Sequence, residues 1–308
     1  MNKASIYYQA LNEIRKSKNV SIADICEGII SERSFYRLMK SDAKIRMETF
    51  VKLANKLDVS PYEVITFATF VAKGDPQLSR FVFRVHTNHY DDIGRIYDEV
   101  RFKKVDNTPL SLYITMNILK YEKSINAIDS ETYQVKMASL YDCCISEKYN
   151  SLYTSAVEVE YLSNQEQVDF TKLYFNINQI IQMDFKISVF FYIMILDNCI
   201  SYLINIEDMD RTIYKKAIKR YEEVIQSFPI KYFHTNFLFF IAFDKLLENN
   251  DFTIDLYKHL LGIIRDRDGN RLKYELERIE HLFKVDYRQI LIQNTLKELQ
   301  GQQFILIE

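Results

Sequence analysis

The chain has 308 residues and a net charge of −2, with 48 % hydrophobic and 27 % charged residues, the balance of a globular protein long enough for two domains. Four prolines, six glycines and no tryptophan exclude a many-turned β architecture and predict an all-α chain. The charge is uneven: residues 1–69 carry 11 Lys and Arg against 8 Asp and Glu, so a basic head precedes an acidic remainder.

In chain order, a first helix is expected over Ile6–Lys18, with Tyr7, Tyr8, Leu11 and Ile14 at helical spacing. Ser21 is placed to cap a short second helix, Ile22–Glu27, with Asp24 where a carboxylate favours a helix start. Gly28 tolerates the left-handed backbone that ends a helix. Ser31 then caps a third helix, Glu32 to about Lys40, with Phe35, Leu38 and Met39 facing inward. Ala43–Arg46 connects to a fourth helix, Met47–Leu57, burying Phe50, Leu53, Ala54 and Leu57. Ser60 and Pro61 open a fifth through Tyr62, Val64 and Ile65.

Two short helices joined by a tight turn inside a bundle of about five make a helix-turn-helix, whose second helix lays its outer side in a DNA major groove. The outward residues expected there are Glu32, Arg33, Tyr36, Arg37 and Lys40, with Ser34 near the entry. Arg33 and Arg37 are four apart and present two guanidinium groups on one face, matched to guanine edges or phosphate. Ser21, Ser31, Lys44 and Arg46 are placed to hold phosphates at helix starts and in the connector. A basic helical face is also an ordinary solvated surface, and Glu32 is either an acceptor from cytosine or simply a favourable first-turn acid.

These residues resemble the Cro/CI-type helix-turn-helix regulators. Leu11–Arg15 looks like their first helix, and Phe50–Ser60 like their fourth helix and its exit. The turn departs from the general pattern, which has one more residue and a glycine just before the recognition helix. Gly28-Ile29-Ile30-Ser31 with Ser34 is similar instead to the Rgg/PrgX branch of the peptide-pheromone-responsive (RRNPP) regulators. The resemblance is specific over about the first 70 residues; beyond them it is one of length and architecture.

Lys73-Gly74-Asp75-Pro76 is the expected boundary between a DNA-binding domain, 1–72, and a helical domain, 73–308. Helices are expected over Gln77–Thr87, His89–Lys103, Pro109–Lys123, Ser130–Ser146, Leu152–Leu162 and Gln165–Met183. They continue over Phe185–Asn205, Met209–Ser227, Lys231–Glu248, Phe252–Asp266, Arg271–Phe283 and Tyr287–Leu299. Paired helices of this size are the unit of tetratricopeptide-like arrays, but no clean consensus repeat occurs, so any repeat is degenerate. Gly301 is expected to break the last helix, leaving Phe304–Ile307 as an apolar, β-prone tail.

No catalytic constellation emerges, so no enzyme activity and no cofactor are expected: there is no Walker loop, no GxGxxG and no Gly-x-Ser-x-Gly. The histidines, His86, His89, His234, His259 and His281, lack metal-ligand spacing; His86 and His89 are read as helix-surface residues. Cys26, Cys143, Cys144 and Cys199 show no CxxC spacing and are expected as reduced thiols in a cytoplasm. The N-terminus lacks a signal-peptide core, and the run Ile187–Ile204, broken by Asp197 and Asn198, reads as a buried helix rather than a membrane span.

An extended peptide bound on the body would need side-chain amides to pair with its backbone. Asn176 with Gln179, Asn198 with Tyr202 and Asn205, and Asn236 with Phe240 offer such groups at helical spacing; ordinary interhelix polar contacts are the competing role. The resemblance implies a homodimeric transcription regulator on a pseudo-palindromic double-stranded operator, controlled by a short signalling peptide in quorum sensing. A protein–protein adaptor and a ligand-independent repressor stay open on the same scaffold.

Overall fold

A computed structural model describes residues 3–17, 20–40, 46–57, 59, 61, 64–65, 68, 81–82, 84–86, 93–101, 108–146, 151–184, 189–227, 231–266 and 269–305. All regular structure among the described residues is helical. The chain divides into two compact units, Met1–Val64 with Pro229–Glu308, and Ile65–Phe228. The join expected at residues 73–76 lies outside the described residues.

The head contains α1 (Lys3–Ser17), α2 (Ile22–Cys26), α3 (Glu32–Lys40) and α4 (Met47–Lys56). α1 packs on α3, and α2 packs on both α3 and α4. Tyr8, Leu11, Ile14, Phe35, Phe50, Leu53, Ala54 and Leu57 are buried as the helical spacing suggests, Ile25 joins them, and Tyr7 is only half-buried. Leu38 and Met39 are half-buried, so Phe35 alone anchors α3 completely. Pro61, Val64, Ile65 and Ala68 have helical backbone where a fifth helix is expected, while Tyr62 lies outside the described residues.

Tyr8 sets its ring edge-on to Phe35 and Phe50, at centroid distances of 6.4 and 6.2 Å. Its hydroxyl is buried and has no hydrogen-bond partner among the described residues. A desolvated, unpaired hydroxyl costs roughly 1–3 kcal/mol. Tyr8→Phe keeps the ring contacts and is therefore expected to raise stability by about 1 kcal/mol. Urea denaturation midpoints test this; a lower midpoint for the variant would contradict it.

The second unit contains α5 (Ile93–Val100), α6 (Pro109–Ser124), α7 (Ser130–Ser146), α8 (Leu152–Ser163), α9 (Phe170–Gln182), α10 (Val189–Ile204) and α11 (Arg211–Ser227). Their starts have local causes. Thr108 accepts from the Ser111 N–H ahead of α6, whose first residue is Pro109, and Ser151 caps α8. Asp169 accepts from Lys172 N–H at 3.1 Å and fixes the start of α9, five residues later than the start expected at Gln165. Asn126 ends α6 with φ 56°, a left-handed position that asparagine tolerates.

These helices stack as pairs: α8 packs on α6, α7, α9 and α10, and α11 packs on α9 and α10. Two side-chain ladders cross the first helix of each pair. Tyr113, Tyr153 and Phe191 meet at centroid distances of 5.3–5.8 Å. Lys120, Glu160 and Tyr202 form the second, at sequence intervals of 40 and 42 residues. Both ladders thus recur at intervals near 40 residues, with no consensus in the sequence to mark them. α10 is buried on nearly every side, as its composition suggests. Among the described residues no helix is long and apolar enough to cross a membrane.

The C-terminal helices are α12 (Lys231–Leu247), α13 (Thr253–Asp266), α14 (Gly269–Phe283) and α15 (Tyr287–Ile305). α15 runs through Gly301, correcting the expected break there. A glycine weakens a helix by about 1 kcal/mol without forbidding it, and no proline follows to enforce a stop. Residues 304 and 305 are therefore helical rather than strand-like, and 306–308 lie outside the described residues.

α12 and α13 approach closely at Gly262, where an added Cβ would lie 2.7 Å from both Cγ2 and Oγ1 of Thr235. Gly262→Ala gains helix propensity of about 1 kcal/mol but must overpack a buried threonine, at roughly 1–3 kcal/mol. The expected result is a lower denaturation midpoint, largely recovered when Thr235→Ala is added. Destabilisation that the second substitution leaves unchanged would show that the close approach is not the cause.

Candidate nucleic-acid interface and polar sites of the body

The turn between α2 and α3 is built on one carbonyl. Ile29 N–H and Ile30 N–H both donate to Cys26 C=O, at 3.0 and 3.1 Å, and Gly28 sits at φ 72°. A Cβ at Gly28 would meet nothing within 4 Å, so glycine is required there by backbone conformation and not by space. Ser21 caps α2 in a reciprocal box: Asp24 N–H donates to Ser21 Oγ at 3.0 Å, and Ser21 N–H to Asp24 Oδ2 at 3.3 Å.

Ser31 Oγ accepts from Ser34 N–H at 3.2 Å and lies 2.9 Å from Ser34 Oγ. One of the two hydroxyl protons is used inside this pair, leaving one to donate outward. The two serines therefore supply a single outward donor where the sequence suggests two. Ser21, whose oxygen accepts at its cap, keeps its own hydroxyl proton for an outside acceptor.

Opposite Phe35, α3 exposes Glu32, Arg33, Tyr36, Arg37 and Lys40, as its pattern predicts. Tyr36 leaves 45 % of its surface in solvent, an aromatic amid cations. Among the described residues Arg33, Arg37 and Lys40 have no ion-pair or hydrogen-bond partner, so their charges are available to an outside anion. Glu32 in the first turn and Arg37 and Lys40 in the last complement the helix dipole. Arg46 is exposed and stands at the N-cap of α4 with no side-chain cap bond. Lys44 lies outside the described residues.

In the second unit, Asn176 and Gln179 lie half-buried on α9, Asn198 and Tyr202 half-buried on α10, and Asn205 exposed just after it. Asn176 is bonded to Glu158, whose carboxyl burial raises and this bond partly lowers. Gln179 and Asn198 have no side-chain partner among the described residues. Asn236 and Phe240 belong to the other unit. Arg271 Nη2 donates to Asn236 Oδ1, and Phe240 is 1 % exposed against Phe239, a core residue rather than a contact surface.

Tyr202 is likewise engaged, in a buried network the sequence pattern does not show. Glu160 accepts from Lys120 Nζ at 2.7 Å, Tyr133 OH at 2.9 Å, Asn164 Nδ2 at 3.1 Å and Tyr202 OH. Burial opposes ionisation of Glu160, yet Lys120 and the two hydroxyls hold its carboxyl below the ordinary range. Lys120 and Glu160 carry no motif and sit 40 residues apart, so only the 40-residue ladder could have revealed them.

His86 corrects the surface expectation: its side chain is 3 % exposed and lies 3.8 Å from Asp197, which also accepts from Tyr221 OH at 2.7 Å. His89 is outside the described residues. In the C-terminal helices His259 is buried, with Nδ1 2.8 Å from Thr235 C=O and Nε2 3.5 Å from Glu275. Among the described residues no group of three His, Cys, Asp or Glu side chains could hold a metal ion.

No protein-family model matches the chain, and no curated protein matches it. Among solved structures, it is similar to the apo form of ComR from S. thermophilus, at 13 % identity and a TM-score of 0.47 over 85 % of this chain and 93 % of that one. It is also similar to the apo form of the competence regulator ComR from Streptococcus vestibularis, at 15 % identity and TM-score 0.43 over 84 % and 92 %. A mutant of PrgX matches at 14 % identity and TM-score 0.42 over 89 % and 92 %. None of these likenesses fixes the place of a side chain.

Proposed function

We propose that the chain is a sequence-specific DNA-binding transcription regulator whose helical body takes a short signalling peptide. The observation that carries the DNA reading is the outer face of α3: Arg33, Tyr36, Arg37 and Lys40 are exposed and without a partner among the described residues, opposite a completely buried Phe35 and directly after the Gly28 turn. A rigid basic helix on a small bundle is what major-groove entry requires. Glu32, Ser34, Ser21, Ser31 and Arg46 would supply an acceptor for cytosine or contacts to phosphate, and the same phosphate role is proposed for Lys44 from its place in the sequence. Two copies in a homodimer would read half-sites about one helical turn apart.

The peptide reading draws on the sequence resemblance and on Gln179, Asn198 and Asn205, whose amides are not consumed within the described fold. Ligand control of the head needs only about 1–3 kcal/mol of differential affinity between two states. A cytoplasmic location goes with this role.

Selection of duplexes from a random pool by the full chain, followed by affinity measurements across a salt series, tests the DNA reading. A shared, two-fold-related motif and a steep salt dependence are expected. Absence of an enriched motif, or binding indifferent to salt, would favour the adaptor role instead.

A further inference from the structure

The last turn of α3 is tied to α1 by one side chain. Gln9 Nε2 donates to the backbone carbonyl of Met39 at 3.3 Å, across 30 residues of sequence. The described part of α3 runs to Lys40, so this bond falls on its last described turn. Near the other end of α3, Phe35 packs edge-on against Tyr8, the residue before Gln9 on α1. Two consecutive residues of α1 thus hold α3 at two places, one apolar and one polar.

A helix anchored only at Phe35 can pivot there, and the lever from Phe35 to Met39 is about 6 Å at a rise of 1.5 Å per residue. Arg37 and Lys40 lie along that lever on the exposed side, and because the helix tilts as one body Arg33, two residues before the pivot, is displaced with them. Base-edge contacts tolerate little misplacement, whereas phosphate attraction tolerates much. Removing the second tether should therefore degrade base recognition and spare general affinity for DNA.

We propose that Gln9 is a positioning residue for base recognition: through Met39 C=O it sets the tilt of α3 without touching DNA. This rests on the DNA-binding reading above. Its test is Gln9→Leu, which keeps the side chain's bulk and lacks the donor, with Gln9→Ala as a second variant in case leucine packs differently. Affinity is measured for the selected duplex and for an unrelated one, together with the salt slope, the melting temperature and amide hydrogen exchange at residues 36–40.

The expected result is a roughly 3- to 10-fold loss for the selected duplex, the scale of one net hydrogen bond. The unrelated duplex and the salt slope stay at wild-type values, the melting temperature falls by no more than the loss of one part-buried hydrogen bond accounts for, and exchange at residues 36–40 quickens. An unchanged ratio of the two affinities overturns the proposal. So does an equal fall in both affinities accompanied by a lower melting temperature, which marks a merely structural role. If the wild-type chain selects no duplex, the DNA-binding reading fails and takes the recognition role of Gln9 with it. Hydrogen exchange then decides the tether alone, and wild-type protection in Gln9→Leu overturns that too.

Discussion

Arg33→Ala is expected to weaken binding to the selected duplex by about 1–3 kcal/mol, roughly 5- to 150-fold, and to relax preference at one base position. Arg33 stands in the first turn of α3, the part of a recognition helix that meets base edges. Arg37→Ala, one turn later, is expected to weaken all duplexes alike and to lower the salt slope by about 1, as loss of a phosphate contact does. Both side chains are exposed and unpaired within the described fold, so thermal stability should stay within about 0.5 kcal/mol of the parent. Mobility-shift titrations at three salt concentrations separate the two effects. Wild-type affinity and selectivity in both variants would remove α3 as the reading element.

The largest stability effect is expected at Glu160. Glu160→Ala strips the acceptor from Lys120, Tyr133, Tyr202 and Asn164 at once, and breaking a buried ion pair on one side costs about 3–5 kcal/mol. Lys120→Met should be milder, because the carboxylate keeps three neutral donors. The two variants also differ with pH. The carboxyl of Glu160 is held below its ordinary value of 4.5, so its ionised form favours the fold above that pH, and this contribution is lost as pH falls through the folded value.

Lys120 is the leading group lowering that value, so Lys120→Met should move acid unfolding to higher pH. Glu275 adds a second acid-labile group: burial opposes its ionisation, but Arg278, His259 and Arg271 bring its carboxyl from 4.5 to about 2. Its share is present above 4.5 and disappears on the way to about 2. Circular dichroism between pH 7 and 2 checks both statements. An acid midpoint indifferent to Lys120→Met would show that the pair does not govern Glu160.

Helix positions were legible wherever a cap or an apolar stripe stood in the sequence. Ser21, Gly28 and Ser31 mark α2, its end and the start of α3, because capping and left-handed backbone depend on one residue and its near neighbours. The outward face of α3 followed from the same local arithmetic. Where competing local cues met, the pattern misled. The start of α9 is expected at Gln165, but the Asp169 cap sets it five residues later, and Gly301 reads as a stop although helix continues through it.

The body's polar residues were the least legible, because a partner 35 to 111 residues away decides whether a side chain is free. Tyr202 and Asn236 look available by spacing, yet one is bound to Glu160 and the other to Arg271. His86 looks like surface until Asp197 is placed beside it.

By itself, then, the sequence determined the all-helical class, the start of α2, its Gly28 exit, the start of α3 and the basic outer face of α3, since each depends on contacts within a turn or two. The tertiary structure alone decided what faces what: the Gln9 tether on Met39 and the Lys120–Glu160–Tyr202 ladder. Those depend on packing between distant helices, where burial turns an unpaired polar group into a cost and so selects its partner.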